Sequence, residues 1–419
     1  MTQPLDNERR PSASGLGIIF LIVVIDLLGF GLIIPLLPFY AKRFDASPLL
    51  VTLLFSIFSI CQFVAAPILG LISDRWGRKP VLVFSQLGSV AGYLLLAWAS
   101  IHHWENATLG LMTIYLSRVI DGLSGGNIST AQAYIADVTS AKDRAKGMGM
   151  LGAAFGIGFS IGPAIGGLMT SWKGPAAPAF AAAAMSILAA LLTALRLKEA
   201  RPEAEVESVA WLHPRRFLPV LRNPLLMQIN LVWFIAMTAF VMMDSTIALF
   251  LTKVFQFDEA RVGWYFLFIG AIIVVVQGGL VGRLSRHVSE GTLCVIGLFC
   301  VAGGALVTAG SAWASLLVIL AIGGAIHAVG RSLFQPSISA LASRNSPENL
   351  QGTSLGLFQG VGTLGRVVGP VIAGVVYANH RTLPWIVGAL LLVVAAMWML
   401  ALHPPTYIAV GPEGQPGEV

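Results

Sequence analysis

The chain has 419 residues, 56% of them hydrophobic and only 11% charged, with a mean hydropathy of +0.80 and a net charge of +6. An average soluble domain is about 25% charged, so the composition excludes a soluble globular protein and a nucleic-acid-binding module. It specifies an all-α, polytopic integral membrane protein, in which the distribution of Lys and Arg carries more information than their sum.

A transmembrane helix needs roughly 20 mostly apolar residues. Twelve such runs are predicted, near 15–40, 49–73, 81–101, 109–136, 147–170, 176–197, 225–252, 261–282, 292–310, 313–341, 352–377 and 383–403. The first is too long for a cleavable signal and carries Asp26, Pro35 and Pro38. Asp26 lies mid-span, where hydrocarbon penalises its charge and a nearby cation restores it. It is the expected proton-binding residue, with a structural polar anchor as the alternative. After the second run, "GLISDRWGRKP" sets Asp74, Arg75, Arg78 and Lys79 between two apolar spans. Gly70 and Gly77 there allow close packing and a sharp turn. Asp74 is expected to accept from backbone N–H groups at a neighbouring helix start, and Arg75, Arg78 and Lys79 to pair with Asp137 or Asp143. The alternative is that the cations only mark topology.

In the fourth run, Arg118 either tunes Asp26 or pairs with Asp121 one turn away, and the two roles are compatible. In the fifth, Gly158, Gly162 and Gly166 recur every four residues, with Gly167 beside them, giving a flat face on which another helix can slide or rock. Pro163 removes a donor and bends the span; ordinary small-residue packing is the plainer account. Beyond a polar stretch at 198–224, Asp244, His327, Arg331 and Arg366 either line a cavity or snorkel toward a membrane surface. Asp244 ranks first among them, as a second carboxylate facing Asp26 across a cleft. Cys61, Cys294 and Cys300 all fall within spans and read as packing residues, with no metal or disulfide spacing.

An internal repeat divides the chain. Arg144, Gly149, Gly162, Pro163 and Gly167 align with Gln351, Gly356, Gly369, Pro370 and Gly374, each pair 207 apart. "GLISDRWGR" matches "GRLSRHVSE", with Arg286 and Ser289 in place of Asp74 and Gly77, so one complete charged loop is expected. The organisation is a tail at 1–14, a six-helix bundle at 15–197, a linker at 198–224, a second six-helix bundle at 225–403 and a tail at 404–419. With the N-terminus inside, sixteen Lys and Arg fall in cytoplasmic segments against six outside, which places both termini in the cytoplasm.

Parallel six-span repeats are an architecture of the major facilitator superfamily, and four stretches carry that resemblance. "GLISDRWGRK" resembles the superfamily's loop signature, and "SRVIDG", with Arg118 and Gly122, is similar to its span-four R-x-x-x-G. "GIGFSIGPAIGG" resembles the antiporter signature, and "DLLGFGLIIPLLP" resembles span one of drug/proton antiporters, tetracycline exporters above all. The resemblance implies two pseudo-symmetric six-helix halves in the cell inner membrane and proton transfer through Arg118. It also implies a cytoplasmic latch at the charged loop, closed when the protein opens outward. The implied activity is proton-coupled antiport of an amphiphilic small molecule by a monomer, whose partners are substrate, protons and lipid. No cofactor is implied beyond the proton gradient, and no metal. A nutrient transporter on the same fold is the rival; no P-loop or HExxH supports an enzyme. Tetracycline exporters carry acids in spans three and nine, where this sequence has Gly92 and the stretch from Val301 to Gly304. The expected cargo is therefore a more apolar amphiphile, neutral or singly charged, with tetracycline as the alternative.

Overall fold

Short polar side chains start many of the helices. Asn106 Oδ1 accepts from Thr108 N at 2.8 Å, Asn223 Oδ1 from Leu225 N at 3.1 Å, Asp258 Oδ1 from Arg261 N at 2.8 Å and Ser289 Oγ from Thr292 N at 3.3 Å. Each satisfies a donor that a helix start leaves free. The structure, a computed structural model, describes residues 13–125, 127–139, 141–200, 218–347 and 350–402.

The first half holds α1 (Ala13–Ile33), α2 (Leu37–Lys42), α3 (Pro48–Trp76), α4 (Arg78–Ile101), α5 (Ala107–Ser124), α6 (Asn127–Val138), α7 (Ala141–Lys173) and α8 (Ala177–Arg196). The second holds α9 (Leu218–Arg222), α10 (Pro224–Phe255), α11 (Glu259–Val275), α12 (Gly282–Leu284), α13 (Glu290–Ala314), α14 (Leu317–Arg344), α15 (Gln351–Asn379) and α16 (Leu383–Leu402).

Three predicted spans are broken. Pro35 divides the first, through a 3-10 turn at Ile34–Leu36, because proline removes a donor and crowds the preceding turn. The fourth is divided at Gly125, which ends α5; its freed carbonyl accepts from Gln62 Nε2 of α3 at 2.9 Å, as an apolar medium requires. The eighth continues from α11 through a π turn, Val276–Val281, into α12.

Among the described residues, ten stretches are each long and apolar enough to cross a membrane. The α5–α6 pair and α7, which match the predicted runs at 109–136 and 147–170, are outside that ten. Large apolar side chains face outward, Leu195 at 77%, Trp172 at 76% and Val275 at 71% exposed, as lipid contact allows and water does not. This is a multi-pass, all-α membrane protein.

Helix contacts in the first half run in the order α3–α5–α4–α8–α1–α7, and in the second α11–α14–α13–α16–α10–α15. These are the same ring. Two seams join the halves, α3 with α15 and α7 with α11, so α1 and α5 face α10 and α14 across the space between the seams. The seams are tight at one end, where Ser56 Oγ donates to the Val367 carbonyl at 2.8 Å and Gly263 packs on Pro163 and Ala164. Toward the charged loop they part. Gly70, Gly278, Gly279, Gly282 and Gly356 have no neighbour within 4 Å of where a Cβ would sit.

Candidate functional site

At the open end Arg78 organises the charged loop. It is 6% exposed, and its guanidinium meets Asp74 Oδ1 at 2.6 Å, Asp137 Oδ2 at 2.8 Å and Ser73 Oγ at 2.6 Å. Of the two carboxylates expected as partners, Asp137 is engaged, and the Asp143 side chain lies outside the described residues. Among the described residues Asp74 does not cap a helix. Glu199 does, its Oε1 accepting from Arg78 N at 2.7 Å and Lys79 N at 3.3 Å at the start of α4. Gly77 has φ +97°, and a Cβ there would fall 2.6 Å from the Glu199 carboxylate, so this glycine supplies both the turn and the room. Gly70, expected to pack closely, has open space beside it. The sequence signal for Glu199 was an acid three positions past α8, at the edge of a basic segment.

In the first half Arg118 is 1% exposed and Nη1 lies 3.0 Å from Asp121 Oδ2, the pairing within α5. Its guanidinium stands 5.8 Å from the Tyr93 ring centroid, and Nη2 has no hydrogen-bond partner among the described residues. Tyr93 lies within electrostatic range of Asp121, Arg118 and also Asp26. The Arg118–Asp121 pair thus lies beside Tyr93, and Asp26, half-buried on α1, is within electrostatic range of the same tyrosine.

In the second half the Arg331 Nη1 group spans both oxygens of Asp244, at 2.8 and 3.0 Å, and lies over the Phe240 ring at 5.2 Å. The Arg331 and Asp244 side chains keep 26% and 41% of their surface exposed. They sit mid-span among α10, α11, α14 and α15, within electrostatic range of Tyr265, His327 and Arg366. Neither snorkels. His327 is buried against Phe240 and Trp385, and its Nδ1 has no partner among the described residues. Arg366 Nη2 donates to Thr363 Oγ1 at 2.7 Å, while its buried Nε is unpartnered among those residues.

The glycine motif serves two surfaces. A Cβ on Gly158 would meet Leu27 at 2.7 Å and one on Gly162 would meet Gly31 at 2.8 Å, and Gly166 faces Leu32, so this stripe packs on α1 of its own half. Gly167 and the Pro163 carbonyl instead meet Glu259 and Gly263 of α11, across the seam.

Packing also sets which positions of the halves are equivalent. Gly158 lies on Leu27 as Gly365 lies on Met237. The counterpart of Asp26 is therefore Ala236, and Asp244 lies eight residues further along, about 12 Å up the helix. Asp244 is not the mate of Asp26 across the cleft. Gly92 approaches Asp121 N and the Ser117 carbonyl, and Gly304 approaches His327 N and the Gly323 carbonyl. Asp121 and His327 hold equivalent places, a match that the aligned strings did not display because α5 is broken and α14 is not.

A model described as Major Facilitator Superfamily matches residues 19–320 and 293–417. The class H tetracycline resistance protein of Pasteurella multocida is 30% identical over 391 residues, covering 89% of this chain and 92% of that protein. Major facilitator superfamily domain-containing protein 10 of Bos taurus is 28% identical over 438 residues, covering 92% and 90%. Among solved structures, a human organic anion transporter, that same domain-containing protein 10, aligns with TM-score 0.69 at 24% identity, covering 95% of this chain and 100% of that one. A D-xylose–proton symporter aligns with TM-score 0.76 at 14% identity, covering 93% and 98%.

Proposed function

The chain belongs to the major facilitator superfamily, and from that premise we propose that it is a proton-coupled antiporter exporting an amphiphilic small molecule by alternating access. The observation that carries the reading is a pair of seams between the halves, in contact at Ser56–Val367 and Pro163–Gly263, with glycines beside open space toward the charged loop. Ionisable side chains stand at mid-depth, on helices that face each other between the seams. Asp26 binds and releases the proton, and Arg118, shared with Asp121, sets the local field. The positive-inside excess supports a cytoplasmic charged-loop end, and the membrane of this reading is a cell inner membrane.

One proton moving down roughly 100 mV supplies about 2.3 kcal/mol, and one pH unit about 1.4. Together these sustain roughly a 500-fold gradient per proton. Gly92 bears on the cargo: a Cβ there would lie 3.1 Å from Asp121 Cβ and from the Ser117 carbonyl, so an acid at this place on α4, as in the tetracycline exporters, would need α5 to give way slightly. A singly charged anionic cargo is the more specific reading. Among the mid-span side chains around Asp244, Arg331 and Arg366 outnumber the one carboxylate, and a relative described as an organic anion transporter is in keeping with that balance.

The test uses inverted vesicles with an imposed pH gradient and four probes: fluorescein, chloramphenicol, ethidium and tetracycline. Gradient-driven accumulation of fluorescein or chloramphenicol, lost in Asp26→Asn, is expected. Accumulation of tetracycline alone would make this a dedicated tetracycline exporter, and accumulation indifferent to the gradient would remove proton coupling.

A further inference from the structure

At the end opposite the charged loop, the first half carries more chain than its architecture requires. Residues 102–106, His-His-Trp-Glu-Asn, join α4 to α5, whereas Ser315 and Leu316 suffice between α13 and α14 at the equivalent place of the second half. The extra residues are built into a cluster. The ring centroids of Trp98, His102 and Trp104 stand 4.7 to 5.1 Å apart, and Trp104 Nε1 donates to the Ala99 carbonyl at 3.0 Å. Beside the cluster is a cavity of about 330 Å³, lined by Arg43, Phe44, His102, His103, Trp104 and the last turn of α4. Phe44, in the turn after α2, also packs on Gly110 of α5, where any side chain would displace its ring. Arg43 supplies the charge. Its Nη1 donates to the Ser100 carbonyl at 3.5 Å, and among the described residues no salt bridge neutralises it. Glu259, which borders a smaller crevice together with Arg43, forms none with it, and no carboxylate among those residues lines the larger cavity.

The length of α4 fixes the depth of this cavity. Its 24 residues span about 36 Å at 1.5 Å each, against a hydrocarbon core about 30 Å thick. With the start of α4 at the charged loop on one surface, its last turn reaches the headgroup level of the other. Phe84, Leu87, Leu94, Trp98 and Ile101 are all exposed, and their spacing of three, four or seven puts them on one face of the helix. Lipid covers such a stripe, and the stripe ends at the cavity, which Ile101 lines. Tryptophan at this depth anchors a helix. A cavity holding a guanidinium, two imidazoles and no acid goes beyond an anchor, because it gathers N–H donors for an anion.

We propose that this cavity binds an anionic phospholipid. Arg43 takes the phosphate through charge-assisted hydrogen bonds, His102 and His103 donate to the remaining headgroup oxygens, and an acyl chain lies along the stripe from Ile101 toward Leu87. An uncharged headgroup suits the cavity better than one ending in an ammonium, which would find no carboxylate there. The stripe makes the source a lipid and not a free anion. The site is independent of cargo and of proton coupling.

Native mass spectrometry of the purified full chain, titrated with dioleoylphosphatidylglycerol, tests it. One tightly retained lipid per chain is expected, weakened about tenfold in Arg43→Ala, the loss of one charge-assisted bond. Arg261→Ala, which removes an exposed cation at the same end but outside the cavity, should leave retention unchanged. Equal weakening in the two variants would mean diffuse attraction, and an Arg43→Ala chain that holds the lipid as wild type does would remove the phosphate from Arg43; either overturns the site. Dioleoylphosphatidylcholine should be retained less, and equal retention would overturn the anionic assignment. Displacement of the lipid by millimolar inorganic phosphate or fluorescein would give the cavity to a soluble anion, against the proposal. Should Arg43→Ala fail to insert, phosphatidylglycerol bearing a diazirine in its headgroup is cross-linked to the wild-type chain in phosphatidylglycerol liposomes. Label at Arg43 or between Ala99 and Ala107 supports the site; label elsewhere alone overturns it.

Discussion

Where Gly92 admits the backbone of Asp121 in the first half, Gly304 admits that of His327 in the second, yet the side chains mounted on those equivalent places share no chemistry. Asp121 completes an ion pair with Arg118; the counterpart of Arg118 is Gly324, whose empty side takes up the Tyr265 hydroxyl. At the loops, Ser289 caps α13 with its own hydroxyl, while Gly77 has none to offer and α4 is capped by Glu199 from the far side of α8. Close backbone approach tolerates almost no substitution, since the opposing atoms cannot yield. Polar roles can be supplied from several positions, so they move while the ring of helices does not.

The comparison is broken most severely at the glycines. Gly162→Leu and Gly369→Leu are each expected to lower the yield of folded protein more than tenfold, by size-exclusion profiles of fluorescent fusions, because each Cβ would meet backbone at 2.8 Å or less. Gly278→Ala, beside open space, should leave the yield unchanged. Damage in only one half would show that the packing is not equivalent.

The carboxylates sharpen it next. Asp26→Asn is expected to abolish gradient-driven accumulation, whereas Asp244→Asn should weaken cargo affinity and keep the coupling. Identical losses would return Asp244 to the place opposite Asp26. Smaller still is the contrast at the equivalent buried positions. Asp121→Asn strands a buried guanidinium and should cost about 3–5 kcal/mol in denaturant unfolding, against about 1 kcal/mol for His327→Asn, whose Nδ1 has no bond to lose. The least effect belongs to the caps, Glu199→Ala and Ser289→Ala, at about 1 kcal/mol each. Trypsin should cut Glu199→Ala faster after Lys198, next to the residue that Arg78 N and Lys79 N hold; a cut no faster than wild type would mean the cap does not hold it.

Composition and periodicity sufficed for the membrane class, the run of spans and the repeat, because hydrocarbon demands long apolar helices and a duplicated bundle repeats its glycines. Asp26, Arg118, Asp121 and Arg78 were legible for a related reason: a charge beside lipid is costly enough to stand out. What tertiary structure alone decided is who meets whom. The sequence pointed to Asp74 as an acceptor at a helix start and to Asp244 as a second carboxylate facing Asp26. The fold gave the cap to Glu199, 121 residues from Arg78, and displaced Asp244 along α10 into a pair with Arg331. Such partners are set by the rotation and register of helices far apart in the chain, which periodicity along one helix does not encode.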